Sequence, residues 1–159
     1  MITEKQYQYV YNIYREEADI IDKLDNKAKI YLSICSFILT ALLFKIKDIS
    51  EVLMGSESVF AKYFLIATYS FIFFALFFTI FTLKIYSYEY PTFIEKLTSE
   101  FDDNVIDEIF IKNRTADLLV ATEINATVNF KRSRYLVIAS ICLLLGSVSA
   151  FTFLTLIIL

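Results

Sequence analysis

The chain has 159 residues, room for one domain of ordinary size, yet 57% of them are hydrophobic and the mean hydropathy is +0.58. A soluble domain sits nearer about 45–50% apolar and would have nowhere to hide the excess. The net charge of −3 gives no argument for a nucleic-acid partner, and none is expected; the absence of His removes the usual general base and the commonest metal ligand.

Two Gly and one Pro in the whole chain leave long helices as the expected structure, so the fold class is all-α. Residues 1–29 are too charged for a secretory signal and read as a helix. Tyr7, Tyr11, Tyr14, Ala18, Ile21, Asp25 and Ala28 follow an alternating four-and-three spacing, which continues as Leu32, Cys35, Leu39 and Leu42. One helix of about forty residues therefore carries both this charged extension and a first span over 30–46. Its uncharged part, residues 30–44, covers only about 22 Å at the helical rise, and flanking Lys29 and Lys45 can snorkel to complete the crossing.

Residues 47–62 read as an outward loop. The run 63–83 holds 21 residues without a charge and the run 135–159 holds 25, each long enough to span a bilayer alone. Between them lies a helical connection, 84–134. Pro91 and Asp102-Asp103-Asn104 mark a break in it. A second heptad stripe then follows, through Ile106, Phe110, Asn113, Asp117, Val120, Ile124 and Thr127, and runs straight into the third span.

The chain is thus expected to be an integral membrane protein with three transmembrane helices and helical cytoplasmic extensions. Twelve Lys and Arg fall in 1–29 and 84–134 against three in 45–62. By the positive-inside rule the N-terminus is cytoplasmic and the C-terminus outward.

Asp25 sits on the apolar stripe at the cytoplasmic edge of the first span. A carboxylate there requires a cation, and Lys131, Arg132 and Arg134 are expected at the same height. Weakly polar faces run through the spans: Ser33, Ser36 and Thr40 in the first, Thr68, Ala75, Thr79 and Thr82 in the second, Ala139, Gly146 and Ala150 in the third. Gly146-x-x-x-Ala150 permits close helix approach, and Ser33, Ser36, Thr40, Gly146 and Ala150 are candidates for packing between subunits or for a pore lining. Cys35 and Cys142 lie in apolar runs and read as packing residues. Tyr7, Tyr9, Tyr11 and Tyr14 beside Arg15 form an aromatic stripe that either packs or stacks a base. No phosphate loop, nucleophile elbow or metal-ligand spacing is present, so no catalytic residue, metal or cofactor is expected. Apart from Lys45 at the end of the first, the spans hold no Asp, Glu, Lys or Arg, which speaks against a transporter.

Asp25-Asn26-Lys27-Ala28, opening directly into the short first span, resembles the Asp-x-Lys-Ala sequence that precedes the first span of the Pycsar-type transmembrane effectors of bacterial anti-phage defence. The charged helix before it and the two later spans with a charged helical connection are similar to that family and to related small membrane effectors of nucleotide-signalling systems. The resemblance implies a bacterial inner-membrane protein of abortive infection. Such an effector would form a homo-oligomer in the lipid bilayer and permeabilise it, as a pore-forming toxin, once a cyclic nucleotide or a partner defence protein acts on its cytoplasmic helices. Asp25, Lys27, Arg114 and Asp117 are the candidates for ligand contact or switching. The rival readings are a membrane anchor that scaffolds a soluble partner and a holin-like toxin.

Overall fold

The computed structural model describes residues 3–44, 46–55, 59–84 and 107–158. These form helix α1 (Glu4–Phe44), α2 (Ile46–Gly55), α3 (Val59–Leu83) and α4 (Asp107–Ile158), with no strand among the described residues. The all-helical class is as expected, and three of the helices (α1, α3 and α4) are long and apolar enough to cross a membrane. Pro91, the expected break at Asp102-Asp103-Asn104, and Ile106 lie outside the described residues.

Helix α1 starts at a capping box. The Gln6 amide donates to Thr3 Oγ1 at 3.3 Å as well as to the Thr3 carbonyl at 3.0 Å, and the Thr3 amide, which the helix leaves without an acceptor, donates to Gln6 Oε1 at 2.9 Å. Its stripe is the expected one from Ala28 onward, where Ala28 and Cys35 are buried and Leu32, Leu39 and Leu42 half-buried; before that the expected Tyr11 is exposed, and Val10 and Leu24, off the expected stripe, are buried. Helix α2 replaces the first part of the expected outward loop. Its Ile49 packs on the cluster of Ala61, Leu65 and Phe153.

Two compact units divide the chain. The first takes Met1–Leu24 and Ile85–Lys131; the second takes Asp25–Lys84 and Arg132–Leu159. Helices α1 and α4 contribute to both.

The second unit is built on α3. Its buried residues Ala61, Leu65, Thr68, Ile72, Ala75, Thr79 and Thr82 repeat at alternating fours and threes, a narrow seam of mostly small side chains. The Thr68, Thr79 and Thr82 hydroxyls each donate to the carbonyl four residues back, so this seam carries hydroxyls without stranding a donor. Helix α4 lies antiparallel to it: Ser149 Oγ donates to the Phe64 carbonyl at 2.9 Å, and Arg132 Nε donates to that of Thr82 at 2.8 Å. Helix α1 completes the unit, with Cys35, Ile72 and Ala75 forming a core on which Cys142 and Leu143 pack. The outer surface is apolar, with Phe37, Phe73, Phe74, Ile80, Leu144 and Phe151 all exposed. Only 11% of the apolar window of α1, and 28% of those of α3 and α4, is buried. Such a surface needs lipid or further helices around it.

In the first unit the inner face of α4 is one residue out of step with the expected stripe. Asn113, Val120, Ile124 and Thr127 are exposed, whereas Arg114, Thr115, Leu118, Ala121, Asn125 and Asn129 are buried. Small Ala121 and hydrogen-bonded Asn129 permit a close inward face, and the larger Val120 and Ile124 turn outward.

Candidate functional site

Position 132 follows Leu118, Ala121, Asn125 and Asn129 on the inner face of α4, so helical register alone buries a guanidinium there. Arg132 is 2% exposed. Arginine does not lose its proton in a protein, so its charge has to be met locally. Within the second unit two helices meet it. Its Nη2 donates to Asp25 Oδ1 of α1 in an ion pair. Its Nε donates to the Thr82 carbonyl, one of the last four of α3 and therefore without a partner inside that helix. The negative end of the α3 dipole falls on the same cation. One side chain of α4 thus ties α1 to the C-terminus of α3.

Of the three cations expected opposite Asp25, Arg132 is the one in contact. Lys131 and Arg134, one residue before and two after, face outward and are exposed. Lys27 is also exposed.

The first unit holds the other candidate pair. Arg114 and Asp117 form an ion pair at 3.0 Å along one turn of α4, and the Arg114 guanidinium carbon lies 5.7 Å from the centre of the Phe110 ring. The guanidinium is buried and the carboxylate about a quarter exposed. On the same helix, Asn129 Nδ2 donates to both the Glu17 carbonyl at 3.0 Å and Glu17 Oε2 at 2.9 Å, a two-point link from α4 to α1. Tyr7 and Tyr11 stack on one another with centroids 6.4 Å apart, while Tyr9 is exposed.

The weakly polar faces of the spans separate into two kinds. Gly146 is buried inside the chain: a Cβ there would lie 2.9 Å from Cδ1 of Ile72 and 3.3 Å from Cβ of Phe71. Ala150 is half-buried beside it in register. Ser33, Ser36 and Thr40 are exposed, with the Ser33 hydroxyl donating to the Lys29 carbonyl at 3.0 Å. The small residues of α4 therefore serve contact with α3, and those of α1 lie on the outside.

Sequence reasoning missed Glu17, Asn129 and the Thr82 carbonyl. Asn125 and Asn129, four residues apart and in step with Arg132, were the available signal for them. Chemically, Arg132 with Asp25 and the Thr82 carbonyl holds three helices at one level, and loss of the carboxylate would remove the counter-charge of a buried cation. Compared with known protein families, curated proteins and solved structures, the chain matches none.

Proposed function

We propose that this protein is an inner-membrane effector of bacterial anti-phage defence, which assembles from several copies and breaches the membrane when triggered. The observation that carries the reading is the buried Arg132 lock at one end of a unit with three long helices whose apolar outer surface is largely uncovered. A lock of this kind gives the bundle two arrangements. Three spans enclose no aqueous path alone, so a breach needs further copies around it. The Asp25-Asn26-Lys27-Ala28 resemblance supplies the biological setting. The trigger, a cyclic nucleotide or a partner defence protein, acts on the charged helical segments, where Arg114 and Asp117 are the contacts we assign to it.

The basic-residue distribution supports a cytoplasmic N-terminus and an outward C-terminus. Reporter fusions after Leu159 that are active only in the cytoplasm would overturn that orientation.

Dye uptake and depolarisation on induction, with and without infecting phage, test the function. Triggered uptake is expected. An anchor that merely scaffolds a soluble partner would give neither signal, and a holin-like toxin would give uptake timed by phage lysis. Asp25→Asn keeps shape and removes charge. It is expected to insert normally and to change triggered killing by about tenfold or more, in either direction, since tenfold needs only about 1.4 kcal/mol on a two-state balance. Wild-type killing by a variant that inserts and assembles would sink the lock as the control element.

A further inference from the structure

The second unit carries cations that its lock does not use. Lys27 and Lys29 on α1 and Lys84 at the end of α3 are all exposed. The Arg132 contacts place Asp25, Thr82 and Arg132 at one level, so the heights of the three follow from helical rise. With α1 running one way and α3 the other, Lys27 sits about 3 Å to the apolar side of that level, Lys29 about 6 Å, and Lys84 about 3 Å to the other side. The result is a belt about 9 Å tall, fed by α1 and α3.

Two further observations fix what this belt faces. Lys62 precedes Thr82 by twenty residues on α3, about 30 Å at the helical rise and the thickness of a hydrocarbon core. The belt therefore falls in the headgroup layer when Lys62 falls in the opposite one. Secondly, Tyr31 lies about 9 Å and Tyr135 about 4.5 Å to the apolar side of the same level, on either side of Lys29, and the Tyr135 ring packs on Phe78 and Phe81 with centroids 6.4 and 5.9 Å away. A tyrosine with an apolar body and a polar tip at this height is the girdle that marks a membrane–water boundary. The two ends of the unit also differ in charge. At the belt Asp25 is held by Arg132, whereas at the far end Lys47 faces Glu51 on α2.

We propose that Lys27, Lys29 and Lys84 form a docking belt for anionic phospholipid headgroups, the phosphates of the adjoining leaflet seating against these cations beside Tyr31 and Tyr135. The proposal rests on the chain spanning a membrane, and not on triggered killing. Charge complementarity carries it: three cations on two helices meet a layer of fixed phosphates, and each cation near such a surface contributes about fivefold to the association. The attraction is screened by salt, because the groups are exposed.

The full chain reconstituted in bilayer discs of equal phosphatidylglycerol and phosphatidylcholine, then released for native mass spectrometry, provides the test. Retained phosphatidylglycerol is expected to exceed phosphatidylcholine about tenfold, since one headgroup meets one or two cations. In the triple variant Lys27→Gln/Lys29→Gln/Lys84→Gln the two lipids should approach parity. Lys27→Arg/Lys29→Arg/Lys84→Arg and, at the opposite end, Lys62→Gln should both keep the preference. Equal preference in the triple Gln variant and the wild type would overturn the belt. So would loss of the wild-type preference on adding millimolar inorganic pyrophosphate, which would make the cations a site for soluble phosphates. Incorporation into pure phosphatidylcholine discs separates the two levels of the argument: a chain that inserts there without selecting lipid spans the membrane but lacks the belt.

Discussion

The ion pair between Asp25 and Arg132 is lopsided, with the guanidinium side chain 3% exposed and the carboxylate 36%. Removing the exposed partner is therefore the more damaging change. Asp25→Leu takes the counter-carboxylate from a buried cation, a loss of about 3–5 kcal/mol for a pair broken in a dry setting. Arg132→Met leaves a carboxylate that water can reach, and its thioether chain fills much of the same space, so it should cost clearly less. The double variant should recover most of the Asp25→Leu loss. Unfolding of the four proteins in one detergent measures the cycle, and a larger loss for Arg132→Met than for Asp25→Leu would refute the argument.

Gly146 brings α4 against α3 at Ile72. Gly146→Ala places its methyl 2.9 Å from Ile72 Cδ1, and Ile72 is fully buried, so the δ-methyl has little room to turn away. Overpacking of this kind costs about 1–3 kcal/mol. Ile72→Val deletes the clashing carbon. In that background Gly146→Ala should cost less than half as much, and additive losses in a thermal-unfolding cycle would remove Ile72 as the partner.

Asn129 donates twice to Glu17, once to its carbonyl and once to its carboxylate. Asn129→Asp removes the donor and sets a second carboxylate against the first, so it should destabilise more than Asn129→Ala at neutral pH. Adding Glu17→Gln supplies a donor from the other side and should recover a measurable part of the loss. A melting temperature that responds equally to Asp and Ala at position 129 would mean that the contact carries no electrostatic weight.

How much of this was legible in the sequence depends on which side chains do the packing. The spans were, because uncharged runs bounded by Lys62, Lys84 and Arg134 state their own length. The second half of the α1 stripe was too, since Ala28, Cys35 and Leu39 repeat without competition, whereas in the first half Val10 and Leu24 take the inner face in place of Tyr11. The α4 stripe was not: Val120 and Ile124 outweigh Ala121 on any hydrophobic scale, yet the inner face takes Ala121 and polar side chains that have partners. That displacement by one residue hid Asn129. Asp25 opposite a basic residue of the last helix was readable from height along the helices alone. That the residue is Arg132 required the register, and that it also caps α3 required knowing where Thr82 ends up. Helix α2 was hidden because Asp48 and Glu51 drew attention to charge, while Ile46, Ile49 and Leu53 already had helical spacing.

The last expectation concerns the outer face of α1. Ser33, Ser36 and Thr40 share that face, are exposed, and sit in the apolar window with the smallest buried share of the three long helices. Small and hydroxyl-bearing side chains let helices approach closely in lipid, whereas the exposed side of α3 presents Phe73, Phe74 and Phe77, which suit acyl chains. If copies assemble, α1 is the helix that meets its neighbour. In a chain with Cys35→Ala and Cys142→Ala, Ser36→Cys should give a disulfide-linked dimer on mild oxidation in the membrane, and Phe73→Cys should give little. Ser36→Leu adds bulk to the outside and should change unfolding stability by no more than about 0.5 kcal/mol, as a surface substitution does. The same substitution should lower triggered dye uptake, because it obstructs the contact between copies and leaves the fold within each copy alone. Cross-linking that is equal at positions 36 and 73 would mean chance encounter in the bilayer, and a Ser36→Leu protein with full uptake would put the subunit contact on another helix.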